Sequence, residues 1–500
     1  MAPPKFTPPS PIEQPELVFA MIGPTGTDLD GVTEALEAEL KIVGYTLVEP
    51  IRLSRLLQGL PEHEHLRELT GPEDERLRAH MNAGDEVRRS FGHGGALAAL
   101  AVAELRRVRG RDEARPGTAY LLRSLKHPQE VELLRAIYGT SLIVISVFEA
   151  EESRAKRVSL RIAASRGTQD GAREAASALL RRDQEGGDDP DYGQSVRKAF
   201  PLADFFLDAT HDLRGGVERL VHLLFGHPHM SPSRDEYAMF MAQAAALRSA
   251  DLSRQVGAVI VDGDGELLAT GCNEVPKPGG GVYWSDDKPD HRDFQHGADP
   301  NALMGREVLH EVFRELRNSG WLATDKADKE PATLVALARQ SKIFEGARVD
   351  NLVEFGRVVH AEMNALMHAA RRGIAVGKGH LYCTTFPCHG CARHIIAAGL
   401  ASVVYVEPYP KSLALELYPE AISLRGDERA VAFRAFTGVA PRRYLDFFGH
   451  GRRKDALGFA LKWTPRMARP RSRQLANPHL LAETDLCVTL SAALRARTPL

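Results

Sequence analysis

At 500 residues the chain is longer than one ordinary hydrophobic core organises, and domain-size priors divide it into roughly two to four domains. Its 43% hydrophobic and 26% charged residues have the balance of a soluble globular protein, and a net charge of −2 excludes the global basicity of most polyanion-binding proteins. Five cysteines show no disulfide spacing and no apolar run reaches transmembrane length, so the expected setting is a reducing, cytoplasmic one, with Cys272, Cys383 and Cys487 as small core residues.

Residues 1–15 are rich in proline, lack the apolar core of a signal peptide, and read as a disordered leader. A first domain is expected over residues 16–226. Leu17 to Ile22 is a continuous apolar run, the mark of a buried strand, and it feeds a glycine turn, Gly23-Pro24-Thr25-Gly26-Thr27-Asp28-Leu29-Asp30-Gly31, before a helix to about Leu40. Strand, glycine turn and helix make the layout of a phosphate cradle. A working P-loop places lysine and then Ser or Thr after its last glycine, so that backbone amides, ammonium and hydroxyl meet phosphates and Mg²⁺. Here Gly31 is followed by Val32 and Thr33, and Asp28 and Asp30 add repelling charge. Gly23, Gly26, Thr27, Gly31 and Thr33 are therefore candidate contacts of a decayed nucleotide site, with a purely structural turn as the alternative.

Strands over 118–122, 141–148 and 203–207 alternate with helices over 129–138 and up to Leu224, which is the pattern of a parallel α/β domain. This half resembles the P-loop kinase superfamily, with its specific motif damaged. Arg154, Arg157 and Arg161, at helical spacing, are similar to the arginines of a kinase lid that hold phosphates; a solvated helix face paired with Glu151 and Glu152 is the other reading. The acidic, glycine-rich stretch from Glu185 to Asp191 is expected to be a mobile loop.

A linker near residues 226–233 leads to a second domain expected over 234–450. It begins with a helix from Asp235 and a hairpin of two strands, 256–261 and 267–273, joined by Asp262-Gly263-Asp264-Gly265. A long insertion, 276–356, follows, and its aromatic and charged part, 283–294, is a candidate lid or effector site. His291, Asp293 and His296 in it are a candidate second metal site.

The chemistry concentrates between His360 and Cys391. His360-Ala361-Glu362 opens a helix-forming run that stops at Gly373, and Pro387-Cys388-His389-Gly390-Cys391 opens a second helix with both cysteines on one face. One imidazole and two thiolates suit a tetrahedral Zn²⁺ that keeps its fourth position for water, and a zinc-bound water can ionise near pH ~7. Glu362, two residues past the first ligand, is then the proton carrier. H-x-E with P-C-x-x-C is the signature of the zinc nucleobase deaminases, which hydrolyse an exocyclic amine. A structural zinc knuckle is the bland alternative; it would need a fourth ligand, and His389, between the cysteines, is expected to face solvent or substrate.

The run from Val404 to Ser412, together with Phe386 to Ala392, resembles the bacterial anti-phage dCTP/dCMP deaminases, and the resemblance covers about residues 15–450. It implies the fold class: α/β, with a P-loop kinase-like parallel-sheet domain followed by a cytidine/deoxycytidylate deaminase-like α/β/α domain. It implies deamination of free dCTP or dCMP with Zn²⁺ as cofactor, depletion of dCTP during phage infection, a regulatory nucleotide or inhibitor at the first domain, and a homo-oligomer. It also implies that Asn273, at the end of the second hairpin strand, faces the nucleoside; on the residue alone a turn cap is the other reading. Lys411 is a candidate phosphate contact. The rival functions are deamination of a base within tRNA or single-stranded DNA, and a nucleotide-sensing regulatory protein with a structural zinc. The basic extension 451–500 is given no function, its Phe459, Leu461 and Trp463 being expected to pack.

Overall fold

The computed structural model describes residues 12–110, 113–186, 191–341, 343–344, 347, 349, 355–408, 412–424, 426, 429–449, 451–471 and 477–497. The chain forms two compact units: Met1–Glu236 together with Ala435–Leu500, and Tyr237–Arg434.

The first unit is built on a mainly parallel sheet. Its strands are β1 (Leu17–Ile22), β2 (Thr46–Leu47), β3 (Ile51–Arg52), β4 (Thr118–Leu125), β5 (Leu142–Phe148) and β6 (Phe205–Asp208), in the order β6-β5-β1-β4-β2, with β3 also on β4. β1 lies centrally between parallel neighbours, and all six of its residues are buried, which is why it reads as an unbroken apolar run. One face carries the helices Leu29–Ile42 and Leu213–Leu224, whose Val32, Leu36, Leu40, Val217, Leu220 and Leu224 share a core with β1 and β5. A smaller core joins the helices Glu73–Phe91, Glu151–Arg166 and Ala172–Glu185 through Met81, Val158, Ile162 and Leu179.

The end of the chain belongs to this unit. The sequence reading ran the second domain to 450, whereas Gly438–Val439 adds antiparallel to β6 and Phe436, Val439 and Phe447 are buried. Two residues of edge strand carry no periodicity, so nothing local marked the return. Trp463 packs against the same core, as expected, while Phe459 stays largely exposed. The helix His479–Arg497 lies on the helices Ala96–Arg109 and Pro128–Tyr138.

The second unit has a six-stranded sheet of β7 (Gly257–Val261), β8 (Leu267–Cys272), β9 (His380–Thr385), β10 (Ser402–Glu407), β11 (Ile422–Ser423) and β12 (Val431–Ala435), in the order β11-β12-β10-β9-β7-β8. β7 is antiparallel to β8 and β9, and β10 is parallel to β9. Among the described residues, the insertion carries two helices, Pro300–Asn318 and Pro331–Gln340, which pack on each other. Asp299 caps the first of them by accepting from the Asn301 amide at 2.9 Å, with Pro300 at its first position. Among the described residues no helix is long and apolar enough to cross a membrane.

Candidate metal centre

Two helix starts meet over the sheet of the second unit. His360 is the N-cap residue of the helix Ala361–Arg371, and Cys388 is the N-cap of His389–Ala397, its Sγ accepting from the Cys391 amide at 3.4 Å. The first helix is held down by β8. Asn364 donates its Nδ2 to the Cys272 carbonyl at 2.8 Å, and Gly271 lets the backbones touch: a Cβ there would lie 2.2 Å from the Ala361 oxygen and 2.4 Å from the Ala365 nitrogen. Neither atom can swing aside, because both are helix backbone. Gly271→Ala is therefore expected to lose about 1–3 kcal/mol of stability by overpacking and to retain less zinc, read by thermal melting and metal analysis; wild-type values for both would refute the close-packing argument.

This docking brings together His360, Cys388 and Cys391, whose donor atoms lie within 4.8 Å of one another. Both sulfurs approach His360 Nδ1, Cys388 at 3.3 Å and Cys391 at 3.4 Å. Zn–S and Zn–N bonds of ~2.3 and ~2.0 Å at the tetrahedral angle put sulfur and nitrogen about 3.5 Å apart, so the donor set fits zinc. The Cys391 thiol and the His360 ring bond to Cys388 and pull its thiol down to about 4. The Cys388 hydrogen bond in turn raises His360 to about 9, against the effect of burial. The same hydrogen bond to Cys388, together with burial, pushes the Cys391 thiol up.

Glu362 stands in the first turn of the first helix, 4% exposed, and outside the three-residue cluster. Burial first, and then the Cys388 charge, push its carboxyl above the usual range. His389 is not in the cluster, and its Nδ1 is buried without a hydrogen-bond partner.

The other expected site residues fare differently. Asn273 is 7% exposed and its amide braces the segment before β7, accepting from the Val256 amide and donating to the Arg254 carbonyl, each at 2.7 Å. Lys411 lies outside the described residues. Glu407, at the end of β10, was missed by the sequence reading; it accepts from Thr385 Oγ1 at 3.3 Å and pairs with Arg254 at 3.1 Å, tying β9 and β10 to the same segment. Gly271 was missed too, although a glycine inside a strand is a signal of close backbone approach. In the insertion, Asp293 pairs with Arg357 at 2.8 Å while His291 and His296 stack ring on ring, so these three do not gather as metal donors. Among the described residues, His360, Cys388 and Cys391 form the only group of three that could hold a metal. All five cysteines are free.

In the first unit, Gly23, Gly26 and Thr27 lie in the turn between β1 and the helix Leu29–Ile42, and Gly31 and Thr33 lie in that helix's first two turns. Thr33 Oγ1 is turned back to the Leu29 carbonyl at 2.7 Å, and Gly26 has φ +89°. Arg154 and Arg157 both reach this turn, donating to the carbonyls of Thr25 and Gly26, whereas Arg161 pairs with Glu73.

Residues 232–407 match the family model described as the cytidine and deoxycytidylate deaminase zinc-binding region. The chain is 38% identical over 66 residues to the ComE operon protein 2 of Bacillus subtilis, covering 13% of this chain and 35% of that one. It is 28% identical over 172 residues to a probable deoxycytidylate deaminase of Drosophila melanogaster, covering 34% and 58%. A similar match, 28% over 173 residues, is to the deoxycytidylate deaminase of Enterobacteria phage T4, covering 32% and 70%. The chain thus spans about a third and somewhat over half of the first two relatives. Zinc is the metal of this segment.

Proposed function

We propose that the second unit hydrolytically deaminates free deoxycytidine nucleotides, dCMP, dCTP or both, giving the uracil nucleotide and ammonia. The observation that carries this reading is a buried carboxyl, Glu362, beside a His/Cys/Cys cluster fit for zinc. His360, Cys388 and Cys391 would hold the ion. Held there, zinc would supply Lewis acidity, lowering the pKa of a water from ~15.7 to about 7. Glu362 takes one proton from the attacking water and gives it to the ring nitrogen beside C4, then takes the second proton from the resulting C4 hydroxyl and gives it to the amine, which leaves as ammonia as the C4 carbonyl forms. Burial keeps the carboxyl from exchanging its proton with bulk water between these transfers. Asn273 and Glu407 brace the 254–256 segment that leads into β7.

The similarity to deoxycytidylate deaminases supports a free nucleotide as substrate. The order of a P-loop-like unit before a deaminase unit supports the finer reading, in which depletion of dCTP defends a cell against phage. The test is product chromatography with purified zinc-loaded protein offered dCMP, dCTP, CMP, CTP, deoxycytidine, tRNA and single-stranded DNA separately. Turnover of dCMP or dCTP and none of the polynucleotides is expected. Turnover confined to tRNA or single-stranded DNA would overturn the reading.

A further inference from the structure

The glycine turn after β1 lies between a strand and a helix start, and amides that could face a phosphate are already used. Thr25 gives its amide to Asp183 at 2.6 Å and Asp28 gives its amide to Glu149 at 3.1 Å. The cations that converge on the turn go to the same two carboxylates: Lys126 meets Asp183 at 2.9 Å and Arg157 meets Glu149 at 2.7 Å. Asp183 and Glu149 are 0% and 2% exposed, so neither is a stray surface contact. The turn's carbonyls are engaged as well, Gly23 by Lys126 at 2.8 Å and Thr25 by Arg154 at 3.2 Å. The amide of Gly31, the last glycine of the motif, is taken by Asp28 at 3.1 Å.

The turn is also closely packed on one side. The helix Glu151–Arg166 presses on the turn so closely that a Cβ at Gly26 would lie 2.9 Å from Val158 Cγ2 and 3.1 Å from the Arg154 carbonyl. Asp28 and Asp30 add two more carboxylates beside the place a phosphate would take, with Asp30 paired to Arg123 at 2.5 Å.

We propose that this turn is an anion cradle filled from within: Asp183 and Glu149 take the amide and cationic donors a phosphate chain would need, fastening two helical elements to the sheet and leaving no nucleotide site. A triphosphate would have to expel two buried carboxylates from their own counter-ions, and the expelled charges would remain close by.

Hydrogen exchange on the full-length chain tests this. The peptide spanning residues 23–31 should exchange slowly without ligand, and neither inorganic pyrophosphate nor ATP with Mg²⁺ at millimolar concentration should slow it further. Asp183→Ala should speed its exchange about tenfold or more, the loss of charge-assisted hydrogen bonds to a buried group. Asp183→Asn keeps an acceptor for Thr25 and loses the charge facing Lys126, so it should give a smaller rise confined to the same peptide; this variant decides the matter if the alanine variant also loosens β5. Slowing by pyrophosphate or ATP in the wild type would overturn the proposal, and so would wild-type exchange in both variants. Deamination by the second unit stands or falls separately, on its own substrates.

Discussion

Glu362→Gln is expected to bind zinc at the wild-type stoichiometry and to lose about 10²–10⁴-fold in kcat, the range by which a positioned acid–base group accelerates proton transfer. The two halves of the result have different origins. On the proposed reading, metal retention depends on His360, Cys388 and Cys391, whose donor atoms lie within 4.8 Å of one another. Turnover depends on a group that accepts and returns protons, and glutamine preserves the shape and burial of the side chain while removing that capacity. KM should change far less than kcat, since the loss falls on the transition state and not on ground-state binding. Metal analysis and steady-state kinetics on dCMP and dCTP check both halves. A variant with near wild-type kcat would remove Glu362 from the reaction, and one that lost its zinc would make it a part of the metal site.

The second large effect is on stability. Arg109 is 0% exposed and forms the hub of a buried ionic group: its Nη atoms donate to Glu483 at 2.6 and 2.9 Å, and its Nε donates to Glu16 at 3.1 Å. Glu16 also accepts from the Arg115 amide and the Tyr120 hydroxyl and meets His479 at 3.2 Å. Burial acts to raise the Glu16 carboxyl, but the hydrogen bonds and the Arg109 charge outweigh it and hold the group below its usual range. Arg109→Ala strands two carboxylates in the interior and should cost about 3–5 kcal/mol, releasing the C-terminal helix His479–Arg497 to proteolysis. Arg109→Lys keeps the charge and loses the two-pronged geometry, so it should fall between. Because Glu16 titrates lower folded than unfolded, its contribution is present above the unfolded value of about 4.3 and disappears as pH falls through the folded one. Chemical denaturation and limited proteolysis read these effects; an alanine variant as stable as wild type would show the network to be dispensable.

The metal centre was legible because its chemistry is local. His360 and Glu362, and Cys388 and Cys391, each sit within one helix start, where spacing alone decides which side chains share a face. β1 was legible for a similar reason, since a strand buried on both sides shows an unbroken apolar run. What escaped depends on contacts distant in sequence. Gly271 matters because a helix about 90 residues later lies on it, and Arg109 because its partner is Glu483, 374 positions away. Sequence could offer Arg154 and Arg157 as phosphate ligands, but the turn carbonyls they meet, those of Thr25 and Gly26, lie 129 and 131 positions away. The edge strand Gly438–Val439 was too short for any period to register.

The central claim is hydrolysis at C4 of a free deoxycytidine nucleotide, and the position of an oxygen atom tests it most directly. Zinc-loaded protein turned over on dCMP and on dCTP in ¹⁸O-labelled water should yield dUMP or dUTP carrying one heavy oxygen on the base, with one equivalent of ammonia, as read by mass spectrometry. A uracil nucleotide without the label, or intact deoxycytidine nucleotides beside a deaminated polynucleotide, would contradict the account.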